Sequence, residues 1–192
     1  MGRPKQFDPD TAVDEAMEVF WRKGYSATTP QDLVDALGIG KGSLYNTFGS
    51  KQELFQRALR RYRDSQIAAL VETLEQPGPV KERLRTALLG LAKMDLSDPT
   101  RRGCMAVNTA AELAGVDHAA TELVRRMLDR PEDAFRILIE EGQRTGEIAH
   151  ERDPAALGSL LANTVVGMRL VARVTEGPDR LDRVVDATLD AL

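Results

Sequence analysis

Between Thr28 and Phe55 the chain carries two short helical patterns joined by Gly38-Ile39-Gly40. This arrangement constrains the fold more than any other feature. Thr29 is placed to cap the first helix and Pro30 suits its first turn. Asp32, three residues on, makes a short-armed capping box. Leu33, Val34 and Leu37 fall on one side and form the face to be buried. Two glycines around one apolar residue suit a tight turn, with Ile39 plugged into the core. The second helix, about Lys41 to Phe48, is poor in large aliphatics. Lys41, Gly42, Ser43, Tyr45, Asn46 and Thr47 surround a single apolar anchor, Leu44. A helix that only packed inside a core would carry more bulk. Gly42 costs about 1 kcal/mol of helix propensity relative to Ala, and in exchange its backbone can approach a partner closely. The pair is a helix-turn-helix whose second helix is slim enough for a groove about 12 Å wide.

The rest of the chain is helical in period. Val13, Ala16, Met17, Phe20 and Trp21 form the apolar face of a first helix, capped by Asp8 with Pro9 next and stopped at Gly24, and Trp21 reads as core. Ser50-Lys51-Gln52-Glu53 matches a capping box and opens a long helix to about Glu75. Gln76-Pro77-Gly78-Pro79 ends it. Further helices are expected from Val80, over Cys104 to Leu113, from Asp117 to Thr145 with a bend near Pro131, from Pro154 to about Thr175, and up to Leu192. No stretch alternates like a strand, so the expected fold class is all-α. The functional division is placed at residues 1–56, a helix-turn-helix domain, and 57–192, a larger helical domain, with the fourth helix shared between them.

Net charge is −4, which by itself argues against a nucleic-acid partner, but the distribution is uneven. Ten basic residues face eight acidic ones through Arg63, against 16 and 22 in the remainder. A locally basic surface suffices for phosphate, since screening sets in within about 8 Å at physiological salt. The single cysteine, Cys104, allows no internal disulfide and fits a reducing cytoplasm. The start, Met1-Gly2-Arg3-Pro4-Lys5, is not followed by an apolar stretch as a secretory signal would be. No apolar run approaches about 20 residues, so no membrane partner is expected.

The run Gly24-Tyr25, Thr28-Thr29, Leu33, Gly38-Ile39, Lys41-Gly42-Ser43-Leu44-Tyr45, Phe48, Ser50-Lys51 and Leu54-Phe55 resembles the DNA-binding region of TetR-like (tetracycline-repressor-type) transcriptional regulators over about residues 9 to 57. One departure is Gly40, where that family usually has a Ser or Thr cap. The resemblance implies an all-helical homodimer acting on double-stranded operator DNA, with a C-terminal domain for ligand and dimer contacts. Carried over position by position, Thr28, Thr29, Pro30 and Gln31 offer a helix N-terminus to phosphate. Lys41, Tyr45 and Lys51 reach the backbone. Gly42, Ser43, Asn46 and Thr47 face base edges, Asn46 suited to adenine and Thr47 to a thymine methyl. Phe48 reads as core.

In the C-terminal part the segment Arg102 to Leu113 resembles one subgroup of these regulators. Cys104, Met105, Asn108 and Thr109, with Asn163, Thr164 and Met168, are candidate pocket groups for a small apolar or amphipathic ligand. An alternative is redox or electrophile sensing through Cys104. Leu157, Leu161 and Val165 on one helix and Leu181, Val184, Val185 and Thr188 on the next form stripes suited to a four-helix dimer seam, with Gly158, Ala162 and Gly167 allowing close approach. His118 and His150 are far apart and lack metal spacing. Neither a nucleophile elbow nor a Cys–His pairing is suggested. No enzyme activity, metal or cofactor is expected, and the chain reads as a ligand-released repressor.

Overall fold

The computed structural model describes residues 7–192, so the opening Met1–Lys5 segment lies outside the described residues. The described residues form helices α1 (Pro9–Lys23), α2 (Pro30–Leu37), α3 (Lys41–Phe48), α4 (Lys51–Leu74), α5 (Val80–Ser97), α6 (Met105–Leu113), α7 (His118–Thr145), α8 (Pro154–Val171) and α9 (Asp179–Asp190), with no strand among them. The punctuation works as residue chemistry requires. Asp8 accepts from the Asp10 amide, and Pro9 occupies the first turn of α1. Gly38 ends α2 in the left-handed region at φ +61°, a conformation a side chain would oppose. Thr29 and Asp32 form a reciprocal capping box. The second box is only half made. Ser50 Oγ accepts from the Glu53 amide, but the Glu53 carboxylate takes the Ser50 hydroxyl rather than its amide, which bonds the Phe48 carbonyl. The helix α8 stops at Val171, short of the expected Thr175, and its last carbonyls are closed by turn bonds from Arg173, Val174 and Thr175.

Two apolar clusters hold the chain together. The first joins α1 to α4 through Phe20, Leu33, Leu44, Phe48, Phe55 and Leu59, and continues into Met105, Ala106 and Leu113 of α6 and Leu123 and Met127 of α7. The second joins the end of α4 to α5, the far half of α7, α8 and α9 through Leu88, Phe135, Ile139, Leu161 and Val185. Helix α4 contributes to both. Trp21 is not simple core. Its ring is half-buried and edge-on to Tyr62 at 4.9 Å, its Nε1 donates to the Gly103 carbonyl at 2.9 Å, and the Arg102 guanidinium lies 4.0 Å over it. It therefore fastens α1 to the segment before α6.

Helix α8 also shows why a length rule alone is a poor guide. Its 18 residues have mean hydropathy 1.3, enough for a membrane span by composition. Here α8 packs along α7 so closely that a Cβ on Gly158 would lie 3.1 Å from the Glu132 carbonyl oxygen. The close approach expected of Gly158 is thus made inside the protomer. Within the fold Arg169 of α8 and Asp95 of α5 form a bidentate ion pair, both bonds 2.9 Å, with side chains 6% and 5% exposed. Nothing in the sequence pattern singles out this pair.

Candidate nucleic-acid interface

The helix α3 rests on two buried anchors, Leu44 and Phe48, each 2% exposed. Phe48 is core, as its bulk suggests, and packs 6.2 Å from Phe7. Because successive residues turn by about 100°, fixing Leu44 and Phe48 inward sends Gly42, Ser43 and Asn46 outward, and all three are exposed; Lys41 is exposed as the first residue of the helix. Tyr45 and Thr47 are half-buried on the flanks. Gly40 is the N-cap and supplies no side-chain bond, so the first amides of α3 are uncapped by side chain. A Cβ on Gly42 would meet nothing within 4 Å, so its glycine leaves open surface rather than relieving an internal clash.

The start of α2 is less open than expected. Thr28 is 1% exposed, its hydroxyl donates to the Gly24 carbonyl at 2.6 Å, and its amide bonds Tyr25. The Thr29 amide donates to Asp32 at 2.8 Å, and Asp32's own amide to Thr29. Pro30 has no donor. Only Gln31, exposed with its side chain on Asp35 at 2.7 Å, keeps the expected position. The capping box that shapes α2 thus consumes donors that a phosphate would need. Asp32 is held well below the ordinary carboxyl value, to about 2, by the Lys23 ammonium at 2.6 Å and then by the Thr29 amide and hydroxyl. A lowered carboxyl stabilises the fold above its unfolded value and loses that contribution as pH falls through the folded one. Asp32→Asn should therefore flatten the acid-side loss of helicity between about pH 4 and pH 2, followed by circular dichroism.

Lys51 is engaged inside the protein. Its ammonium donates to the carbonyls of Tyr25 and Thr28, both at 2.9 Å, and lies 4.2 Å over the Tyr25 ring. Two of its three N–H groups are committed to holding the loop between α1 and α2. From the other side Glu112 of α6 accepts the amides of Tyr25 and Ser26 at 3.0 and 2.6 Å. Burial opposes the Glu112 charge, but the bonds to Ser26 and Tyr25 and the nearby Lys51 prevail, leaving its carboxyl below the usual range. Sequence reading misses Glu112 because its partners lie 86 and 87 residues away.

A cavity of about 130 Å³ opens beside the Pro131 turn of α7, lined by α4, α5, α7 and α8 and by the start of α6. Of the expected pocket groups only Cys104 and Asn163 line it. Met105 and Thr109, one helical turn apart, face the first apolar cluster instead, 2% and 4% exposed, with the Thr109 hydroxyl on the Met105 carbonyl. Asn108 bonds the Arg102 carbonyl and accepts from Arg173. Met168 is buried in the second cluster, and Thr164 does not line the cavity. The lining comes chiefly from residues outside that set: Tyr62, Gln66 and Leu70 at four-residue spacing on α4, and Met127 and Leu128 on α7. The spacing on α4 is legible in the sequence; its pairing with α7 and α8 is not. Cys104 Sγ lies 3.5 Å from the Tyr62 hydroxyl. Burial pushes that hydroxyl far above the ordinary tyrosine value, so it stays protonated.

The residues expected at a dimer seam also divide. Leu157, Leu161, Leu181, Val185 and Thr188 are buried within the protomer, none more than 8% exposed. Val165 lines the cavity. Val184 points outward, together with Leu160, Leu170 and Val174, the last 83% exposed. The cause is that α8 is apolar on both sides, so a stripe with helical period does not say which side faces in.

Comparison with known proteins follows this geometry. Residues 12–58 match the family model described as bacterial regulatory proteins, tetR family, and residues 91–188 match the tetracyclin repressor-like C-terminal domain. The chain is 36% identical to the HTH-type transcriptional regulator YezE of Bacillus subtilis (strain 168), with 100% of both chains covered. It is 31% identical to the HTH-type transcriptional repressor ComR of Escherichia coli (strain K12), covering 98% of this chain and 90% of that one. Among solved structures it is similar to the TetR family transcriptional regulator CifR, a cysteine mutant complexed with 26bp double-strand operator DNA, at TM-score 0.85 and 29% identity over 99% of both chains.

Proposed function

This chain belongs to the TetR family of bacterial regulatory proteins, DNA-binding transcriptional regulators rather than enzymes, and on that premise we propose that it is a repressor released from its operator by a small molecule. The observation carrying this reading is α3, with Leu44 and Phe48 buried, Gly42, Ser43 and Asn46 exposed on the opposite side and Lys41 exposed at its start. Lys41 and Tyr45 position the helix on phosphates, and Ser43, Asn46 and Thr47 read base edges. Gln31 adds a contact from α2. A DNA partner places the protein's work in the cytoplasm.

Operator binding is assigned to a homodimer, which presents two copies of α3 to successive major grooves about 34–36 Å apart or further on a palindromic site. Leu160 and Leu170 on α8, Val174 just after it and Val184 on α9 are exposed apolar side chains that support dimerisation through α8 and α9. The division at residues 56 and 57 falls inside α4, so this helix belongs to the DNA-binding part at one end and to the cavity wall at the other. A molecule that binds one arrangement of the cavity better than another shifts α4 and with it the separation of the two heads.

The test is operator affinity measured by fluorescence anisotropy at several salt concentrations. Lys41→Ala should weaken binding about tenfold and reduce the salt slope by about 1, the value for one phosphate no longer neutralised. Tyr45→Ala should weaken binding with a smaller change in slope. Unchanged affinity and slope in both variants would remove α3 from the interface, and a monomer in analytical ultracentrifugation at operator-binding concentrations would remove the dimer.

A further inference from the structure

The cavity beside Pro131 is unusual in its charge balance. Its walls are mainly aliphatic, with Ile67, Leu70, Leu91 and Val166 among them. One pole is polar and gathers Tyr62, Gln66 and Arg169. Arg169 is the only one of these three that carries charge, and Asp95 neutralises it with two bonds of 2.9 Å. The pair is a closed unit, so the pole presents dipoles rather than net charge. At the rim, Arg63 and Glu132 add one charge of each sign.

The pole also presents donors. A guanidinium has five N–H groups. Those of Arg169 make two bonds to Asp95 and one, at 3.3 Å, to Gln66 Oε1, which leaves two over. The Gln66 amide nitrogen brings two more. The Tyr62 hydroxyl donates at 3.5 Å to Cys104 Sγ, a weak acceptor that an oxygen would improve on. The volume, about 130 Å³, is close to that of an apolar protein cavity of about 150 Å³ known to admit benzene.

We infer that this cavity takes an uncharged organic molecule of about benzene size that carries a hydrogen-bond-accepting oxygen, with the oxygen at the Gln66–Arg169–Tyr62 pole and the hydrocarbon body against Ile67, Leu70 and Val166. This rests on the reading that the cavity is where the releasing molecule binds. A carboxylate of the same size gains no net countercharge there, since Asp95 already holds Arg169. An ammonium of the same size meets the Arg169 guanidinium at the pole, where the Gln66 carbonyl oxygen is already taken by that guanidinium. Both pay desolvation without return. Occupation of the pole also bears on Gln66, and Gln66 belongs to α4, so the bound oxygen acts directly on the helix that reaches the DNA-binding head.

The test uses one carbon frame with three head groups: cyclohexanone, cyclohexanecarboxylate and cyclohexylammonium. Each is titrated calorimetrically into the full-length protein and assayed for release of bound operator. Cyclohexanone should bind at least tenfold more tightly than either ion and should release operator. Gln66→Leu should lower its affinity about fivefold, the usual worth of one neutral hydrogen bond. Ala162→Met and Leu91→Phe, which fill the cavity from two different helices, should each abolish binding while the far-ultraviolet circular dichroism stays that of the wild type. If one of the ions binds most tightly and the filled variants lose it, the cavity reading stands and the uncharged class is wrong. If cyclohexanone binds equally well to the filled variants, the site lies elsewhere and both fail. Absence of binding by all three overturns the proposed class.

Discussion

Asp95→Ala should lower the free energy of unfolding by about 3–5 kcal/mol, the loss expected when one partner of a buried ion pair is removed. The reason is what remains. Arg169 would keep its charge at 5% exposure, with a 3.3 Å contact to Gln66 as its remaining bond. Among the described residues no other carboxylate forms an ion pair with Arg169, so the two bonds that Asp95 makes between α5 and α8 are lost. The double variant Asp95→Leu with Arg169→Met should behave quite differently. With both charges gone, the pair's attraction and its desolvation cost vanish together, and such exchanges are often neutral or stabilising. Urea unfolding of the two variants separates the possibilities. A loss below about 1 kcal/mol for Asp95→Ala would mean that solvent reaches the pair. A double variant as unstable as the single one would mean that shape, not charge, is what the site needs. The stable double variant should also retain operator binding, while the cavity pole loses the donors of Arg169.

How much of this is legible in the sequence depends on the range over which each signal acts. Caps and stops are local. Asp8, Thr29, Gly38 and Ser50 announce helix ends within a few residues of where they lie, because each acts through bonds to its own neighbours. The exposure of Gly42, Ser43 and Asn46 follows from the inward anchoring of Leu44 and Phe48 on the same helix. The failures share a different cause. Thr28 reads as a donor to phosphate, yet its hydroxyl satisfies Gly24 within the same loop; a polar side chain near a helix start serves the turn before it serves a ligand. Leu157 and Leu161 read as interface because α8 is apolar on two sides, and period alone does not choose between them. The cavity and its polar pole join residues 42 to 103 positions apart, such as Tyr62 with Cys104 and Gln66 with Arg169, and no spacing rule reaches that far.

Glu112→Ala should weaken operator binding by about 10- to 100-fold while leaving the salt slope unchanged. Glu112 lies on α6, outside the helices proposed to meet DNA. It receives the amides of Tyr25 and Ser26, and Lys51 donates to the carbonyls of Tyr25 and Thr28 from the opposite side. The loop entering α2 is thus held by a carboxylate from the C-terminal domain and an ammonium from α4. Hydrogen bonds to charged groups are worth about 1.5–3 kcal/mol each, reduced here because Glu112 is partly exposed. Losing both frees the loop entering α2 from α6 while the apolar contacts of α1 and α4 with Met105, Ala106 and Leu113 remain, and a looser α2 must be ordered again each time two copies meet their half-sites. Each tenfold in affinity corresponds to about 1.4 kcal/mol, so the range given is one to two such steps. Since every phosphate stays neutralised as before, the salt slope holds, in contrast to Lys41→Ala. Lys51→Met discriminates further: a staple predicts weaker binding at constant slope, whereas a phosphate contact predicts a slope lower by about 1. Hydrogen exchange of the Tyr25 and Ser26 amides should quicken in Glu112→Ala in the absence of DNA. If protection and affinity both stay as in the wild type, the loop is held without Glu112. If exchange quickens and affinity does not change, the head needs no orientation from α6, and the signal from the cavity must travel through α4 alone.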